Sequence, residues 1–386
     1  MYEWIKDLLK EEFVTPFTVE NDSDYFTSLE QKYELIMDII KINAPSDLVS
    51  KMGFTQQSIL NAIQYYYAGD ISDAIQALDN ALKPLINSKY ITNTVKGNTA
   101  FKNFEALNTS GEADSFVGEE VDFYRARKAK IDYNFTSEEM SHIPFNKRGK
   151  VTTQRFSIPG LPCFYLGTSS HTCWEELDKP LDNEFNVSHV HLDDSIRLFN
   201  LATNIRKISG YSESTPDNIA KYKINLDELI WDYLLMWNVV IACSYTVNEK
   251  ERSFRSEYIV SQLMMLVLKS HQIDGVVYFG KKATEKYTIW GYLHKNLNVA
   301  IMANYDPAIC HKEDLERYSD ICNKIKISNS VNFAEFKQIN EPNTQFTQFQ
   351  DQYNYVDLGS KTTQYNRTEF YRFECYIKKF IKETHI

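Results

Sequence analysis

The sequence of 386 residues is poor in glycine and proline, with 13 and 10 residues, and its six cysteines form no CxxC pair. A disulfide framework or a structural zinc site would need a denser and more regular cysteine pattern, so we expect buried free thiols. His189 and His191 lie two residues apart on a strand-like segment, but no third ligand follows at a suitable spacing. The sequence therefore predicts no bound metal.

Long apolar runs and an excess of basic residues are also missing. The longest apolar segment, residues 229–247, is interrupted by Asp232 and Asn238, and no signal-peptide pattern opens the chain. The formal net charge of −10 is the opposite of what a general nucleic-acid binder needs. We therefore expect a soluble, cytoplasmic protein that binds neither nucleic acid nor a membrane.

The short motifs of three large enzyme classes are absent as well. No GxGxxG follows a predicted strand, and neither a Walker loop nor a GxSxG elbow occurs. Redox dinucleotide domains, P-loop enzymes and ordinary serine hydrolases are therefore disfavoured. Aromatic residues, by contrast, make up 14% of the chain, which suits pockets that stack planar rings.

Residues 1–110 predict a small helical domain. Apolar side chains recur there at helical spacing, as in the stripe formed by Tyr33, Ile36, Met37 and Ile40. This spacing places the apolar side chains on one face of each helix, which can then pack against its neighbours.

The residue pattern of the chain changes after a polar linker, which we predict at 108–115. From 120 to 310, short segments rich in β-branched and aromatic residues predict strands, and two apolar stretches predict helices near 226–242 and 255–269. We therefore predict an α+β fold for this domain. A C-terminal extension, 311–386, is expected to consist of polar loop and a final helix.

Two arginines are candidates for anion binding. Arg125 lies within an aromatic strand-like segment, and burying it there is costly unless an internal carboxylate or an anionic ligand pairs with it. Arg155 opens the stretch that leads into the next strand. Because each guanidinium offers forked donors to oxygen atoms, the pair suits a pyrophosphate.

Two adjacent glutamates, Glu175 and Glu176, follow on a predicted helix. Neighbouring side chains on a helix point about 100° apart, so only one of them can face a given pocket. Either glutamate could instead cap the start of that helix.

Four segments, in order between 122 and 282, resemble the RES domain family, which is named for its Arg, Glu and Ser positions. They are "FYRAR", "RFSIPG", "CFYLGTSSHTCWEEL" and "DGVVYFG". The resemblance places the family arginines at Arg125 and Arg155 and the family glutamate at Glu176. It departs at Gly280, where the family usually has serine.

The resemblance implies an ADP-ribosyltransferase-like RES domain of mixed short strands and helices, preceded by a small all-α domain. RES proteins are toxins of bacterial toxin–antitoxin pairs that degrade NAD by phosphorolysis or hydrolysis, or transfer ADP-ribose to a protein. It therefore implies NAD as substrate, inorganic phosphate as co-substrate in the phosphorolytic case, no cofactor, and a cognate antitoxin as partner. A mono-ADP-ribosyltransferase and a non-catalytic nucleotide-binding domain stay open as alternatives.

The same resemblance assigns roles to residues. Glu176 would stabilise the oxocarbenium charge that develops on the ribose when the bond to nicotinamide breaks. Arg125 would act with it as a catalytic residue that anchors the pyrophosphate or an attacking phosphate. The remaining contacts to the dinucleotide are expected from Arg155, Tyr165, Ser169, Tyr278 and Gly280.

Overall fold

The computed structural model describes most of the chain, namely residues 2–101, 121–130, 133–213, 224–249, 252–280, 296–305, 320–339, 355–357 and 362–381. The predicted linker at 108–115 lies outside these residues. All five cysteines within them carry free thiols.

The α-helices of the described residues are α1 (Asp24–Asn43), α2 (Ser46–Ala68), α3 (Ile71–Ile86), α4 (Ser137–Met140), α5 (Ser170–Glu176), α6 (Ile205–Ser212), α7 (Leu226–Cys243), α8 (Ile259–Ser270), α9 (Phe333–Gln338) and α10 (Glu369–Ile381). The strands are β1 (Phe17–Val19), β2 (Thr92–Thr94), β3 (Phe123–Lys128), β4 (Cys163–Gly167), β5 (Phe185–Leu192), β6 (Arg197–Asn200), β7 (Tyr245–Val247), β8 (Gly275–Phe279), β9 (Leu297–Met302), β10 (Ile325–Ile327), β11 (Val331–Asn332), β12 (Tyr355–Asp357) and β13 (Thr362–Gln364). The predicted α+β fold is confirmed.

One large sheet organises the molecule. Its strand order is β10-β5-β3-β4-β9-β8-β6-β2, and β11 also pairs with β5. β6 and β8 are parallel, whereas the other neighbours in this sheet are antiparallel. The carboxyl ends of β6 and β8 therefore lie at the same edge, and the segments that follow both strands come together there.

The N-terminal helices share a core with the rest of the protein. Helix α7 is apolar and buried on nearly all sides, as expected for a helix enclosed by others. Its polar Asn238 is satisfied within that core, because Gln56 of α2 donates to its side-chain oxygen at 2.9 Å and the Tyr33 hydroxyl donates to its carbonyl at 2.7 Å. The same core continues to Val276 and Ala300 on one face of the sheet. The proposed boundaries of three separate domains stay a prediction.

Side chains alternate between the two faces of the sheet. Tyr165 and Tyr278 point to the face covered by α7 and α8, whereas Phe164 and Val277 pack into a second core on the other face. A third core joins β3 and β5 to the C-terminal helices through Phe333 and other aromatic residues. None of the described helices is both long and apolar enough to cross a membrane.

Candidate functional site

A cleft of about 620 Å³, open to solvent, lies at the carboxyl ends of β6 and β8. Residues from distant parts of the sequence line it, including Thr15, Arg155, Phe156, Thr203, Tyr278 and Gly280. None of the described residues that line it is acidic.

The carboxylate of Glu176 lies at the Gly280 end of this cleft. Asn298, which is directly opposite Tyr278 in the register of β8 and β9, donates from Nδ2 to Glu176 Oε1 at 2.9 Å. A Cβ atom added at Gly280 would lie 2.7 Å from the same oxygen and 3.0 Å from Asn298 Nδ2. The glycine therefore allows the carboxylate to lie directly against the backbone at the wall of the cleft.

Helix α5 presents Glu176 because it packs closely on β4. A Cβ atom at Gly167 would lie 2.8 Å from Cys173 Sγ, so a larger residue in that strand would push the helix away. Ser169 is the N-cap of α5, and its side-chain oxygen accepts a hydrogen bond from the backbone N–H of Thr172 at 3.0 Å. This contact fixes the start of the helix that carries the glutamate.

The side chains of the two adjacent glutamates point in different directions, as helical geometry requires. Glu175 Oε1 lies 3.2 Å from Lys179 Nζ and 3.7 Å from His171 Nε2, on a different side of α5 from Glu176. Both glutamates belong to the last turn of the helix, and Ser169 caps its start. The alternative that one of the glutamates caps the start of the helix is therefore wrong.

Arg155 brings positive charge to the cleft. Its Nη2 donates to the carbonyl of Tyr245 at 3.0 Å, whereas its buried Nε has no hydrogen-bond partner among the described residues. Gln262 of α8 fixes the surrounding loop by donating to the carbonyls of Gln154 and Ser157 at 3.0 and 3.1 Å. Arg155 is thus anchored from one side and lines the cleft.

Tyr278 lies near both charged groups, since each of them affects its pKa. Its ring centroid is 4.5 Å from that of Phe156, so the two rings form an aromatic wall of the cleft. Burial raises the pKa of Tyr278 well above its ordinary value, the Glu176 carboxylate adds to this increase, and the Arg155 charge opposes it. Tyr278 therefore stays a neutral phenol that can donate a hydrogen bond or stack on a planar ring.

Arg125 is not brought to the cleft. Its guanidinium donates to the carbonyls of Tyr165 at 3.0 Å and Ser141 at 3.2 Å, and lies 4.5 Å from the ring centroid of Phe164. Since Phe164 faces away from α7 and α8, Arg125 lies on the opposite side of the sheet from Glu176. Burial lowers the pKa of Arg125 to about 9. The partners in these contacts are backbone carbonyls, and the catalytic role predicted for Arg125 stays a prediction.

Tyr165 and Ser169 support the site from outside the cleft. The Tyr165 hydroxyl lies 2.7 Å from Ser157 Oγ, in the loop that carries Arg155. Ser169 is almost fully buried as the cap of α5. In this structure both residues position the elements that carry Arg155 and Glu176, and the direct dinucleotide contacts predicted for them stay predictions.

Four residues at or near the cleft were not predicted from the sequence. Asn298 binds Glu176, Thr203 follows β6, and Thr15 and Pro16 reach the cleft from the N-terminal segment. No local motif marks them, because each depends on strand pairing between distant parts of the chain.

No metal centre is formed by the part of the chain that the structure describes, since no three of its His, Cys, Asp or Glu residues lie close enough together. His189, one of the two histidines considered above, instead lies 2.8 Å from Asp122 through Nε2. Burial alone would raise the pKa of Asp122, but this hydrogen bond and the charge of Lys378 hold it down at about 2. His189 and Asp122 therefore form part of a structural ion cluster that ties α10 to the sheet.

Comparison with known proteins gives a limited set of relatives. No protein-family model matches the chain. Over 197 residues it is 34% identical to the Bacillus subtilis (strain 168) protein named "Putative toxin YopC", an alignment that covers 49% of this chain and 42% of that protein. The chain thus spans less than half the length of this curated relative.

Among solved structures, the chain is similar to one in the crystal structure of the MbcT-MbcA toxin-antitoxin complex of M. tuberculosis. The sequence identity is 11%, the match covers 57% of this chain and 88% of the other, and the TM-score is 0.26. A TM-score this low supports no inference about fold or function.

Proposed function

We propose that this protein is an NAD-consuming toxin that cleaves the bond between nicotinamide and ribose. One observation carries the proposal: Arg155 and Tyr278 line one open cleft, and the Glu176 carboxylate lies against Gly280 at the edge of the same cleft. The cation suits the diphosphate of a nicotinamide dinucleotide, the aromatic ring suits its planar base, and the carboxylate suits the ribosyl carbon that gains positive charge.

The carboxylate supplies the main catalytic effect. As the C1–N bond breaks, both bonding electrons leave with nicotinamide, whose ring nitrogen changes from cationic to neutral, and positive charge develops at C1 and the ring oxygen of the ribose. Glu176 stabilises that charge and accepts hydrogen bonds from the ribose hydroxyls. Asn298 holds the carboxylate in place through its 2.9 Å hydrogen bond.

The departure of nicotinamide needs no general acid, because nicotinamide leaves as a neutral molecule without protonation. The acceptor is water or inorganic phosphate, whose oxygen forms the new bond to C1. When water attacks, its proton is lost to solvent and ADP-ribose forms. Arg155 neutralises the diphosphate, and Tyr278 stacks on or donates to the nicotinamide side.

The assignment as a toxin is supported by the 34% identity to a protein named as a toxin, over about half of this chain. Depletion of NAD would explain toxicity in any cell. Under this proposal a cognate antitoxin is the expected protein partner.

The test is to incubate purified protein with NAD, with and without phosphate, and to measure released nicotinamide and the ribosyl product. Glu176→Gln removes the charge but keeps the shape, and we expect it to lower kcat roughly 100-fold or more. Glu175→Gln is the matched control, because Glu175 faces Lys179 and His171 instead. Equal turnover by wild type and Glu176→Gln contradicts the proposal, and ADP-ribose label on a polypeptide would favour the transferase alternative.

A further inference from the structure

The end of the cleft that follows β6 contains a buried hydroxyl with no partner. Thr203 is 1% exposed and lines the cleft, yet its Oγ1 has no hydrogen-bond partner among the described residues. A buried hydroxyl in this state destabilises the protein unless something else binds it. An atom from a bound molecule is the natural partner, because Thr203 lines an open cleft.

Helix α6 begins immediately after Thr203. Asn204 is its N-cap, lines the cleft, and accepts the backbone N–H of Lys207 at 2.9 Å through its side-chain oxygen. The amino end of a helix carries partial positive charge and favours anions. The start of α6 therefore adds positive potential at the same place as the Thr203 hydroxyl.

Two cations strengthen this potential. Arg155 lines the same cleft and has a buried Nε without a hydrogen-bond partner among the described residues. Lys207 is buried beneath the turn before α6, where its Nζ donates to the carbonyl of Ala202 at 3.1 Å. With no acidic residue among the described cleft-lining residues, this end of the cleft is suited to an anion.

We propose that Thr203, Arg155 and the start of α6 form a subsite for a phosphoryl group. Glu176 contacts Asn298 on β9 and lies against Gly280 at the end of β8, whereas Thr203 follows β6, so the two ends are one to two strand spacings, or roughly 5–10 Å, apart. That distance leaves room for a ribose between a carboxylate and a phosphate. The subsite therefore sets the direction of the ligand, with its phosphate at α6 and the reacting carbon at Glu176.

The same phosphoryl chemistry has two sources. This assignment rests on the proposed function. The phosphoryl group belongs either to the diphosphate of the dinucleotide or to free inorganic phosphate. In both cases oxygen atoms of the phosphate would accept hydrogen bonds from Thr203 Oγ1 and the Arg155 guanidinium.

Thr203→Val tests the subsite, because it removes the hydroxyl and nearly preserves the shape. The dissociation constants of ADP, inorganic phosphate and adenosine would be measured by calorimetry for wild type, Thr203→Val and Arg155→Gln, with Thr152→Val and Arg148→Gln as matched controls outside the cleft. We expect Thr203→Val to weaken ADP binding about tenfold or more and to leave adenosine binding unchanged. Its Tm should not fall, because no hydrogen bond within the described protein is lost.

The two sources give different results in this experiment. Weaker binding of ADP assigns the subsite to the diphosphate, and weaker binding of inorganic phosphate alone assigns it to the free ion. Unchanged affinity of Thr203→Val for both ligands, or no binding of either ligand by wild type, overturns the proposal. If wild type binds ADP through Thr203 but releases no nicotinamide from NAD, the proposed function fails while the subsite stands.

Discussion

The hydrogen bond between Asn298 and Glu176 offers the sharpest test of how the site is built. Asn298 is 5% exposed, and its Nδ2 donates to Glu176 Oε1 at 2.9 Å, whereas Glu176 itself is exposed. Asn298→Ala removes the donor and frees the carboxylate to rotate. We expect kcat for nicotinamide release to fall while KM stays nearly constant, because the change affects charge stabilisation at C1 and not binding of the diphosphate.

The size of the effect follows from the strength of this contact. A hydrogen bond to a charged group contributes roughly 1.5–3 kcal/mol. Because Glu176 is solvent-exposed in the free protein, we take a contribution just below this range, about 1.4 kcal/mol. A loss of this size corresponds to about a tenfold lower kcat. Asn298→Asp should reduce kcat further, since it places a second negative charge beside Glu176.

A double-mutant cycle separates a positioning role from general damage. If Asn298 acts only through the carboxylate, Asn298→Ala costs about tenfold in the wild-type background and close to nothing in a Glu176→Ala background. The rates would be measured by chromatography of released nicotinamide at saturating NAD, with Tm recorded for each variant. An equal loss in both backgrounds would refute the reasoning, because it would mean that Asn298 acts independently of Glu176.

Two further substitutions test other contacts. Gly280→Ala places a Cβ atom 2.7 Å from Glu176 Oε1, so we expect a lower kcat for nicotinamide release. The Tm should change little, because only the end of a flexible side chain must move. An unaltered rate would contradict this geometry. Asp122→Asn should destabilise the protein by about 2 kcal/mol at pH 7, since His189 and Lys378 hold the pKa of Asp122 at about 2 in the folded state despite burial, below its ordinary 3.8. That stabilisation is present above pH 3.8 and is lost as the pH falls toward 2, so urea unfolding at pH 7 and pH 3 should show the difference between the proteins shrinking with acid.

Much of the secondary structure could be read from the sequence because local patterns determine it. The helix predicted at 226–242 is observed as Leu226–Cys243, and the segment "DGVVYFG" contains β8 as expected. The helix predicted from 255 begins later, at Ile259, because residues 256–258 form a turn of 3-10 helix. In each case the apolar spacing indicated the element and the ends were less certain.

The site was harder to predict because it depends on which strands are neighbours. Alternation along β3 shows that Tyr124 and Arg125 point to opposite faces, but it does not show which face carries the cleft. Pairing of Tyr124 with Gly167 settles this, since it places Tyr124 on the α5 side and Arg125 on the other. Asn298 was missed for the same reason, because it contacts Glu176 only once β9 lies between β4 and β8.

The N-terminal segment takes part in the geometry of the cleft although it lies outside the region of family resemblance. β1 pairs in parallel with β7, and the Phe17 backbone N–H donates to the carbonyl of Ser244 at 3.0 Å, which brings Thr15 and Pro16 to the wall of the cleft. The next residue after Ser244 is Tyr245, whose carbonyl anchors Arg155. The strand that anchors Arg155 is therefore itself held by the N-terminal segment. Residues 122–282 alone would lack both this wall and the support of the anchor, so the N-terminal region contributes to the site itself as well as to the core beneath it.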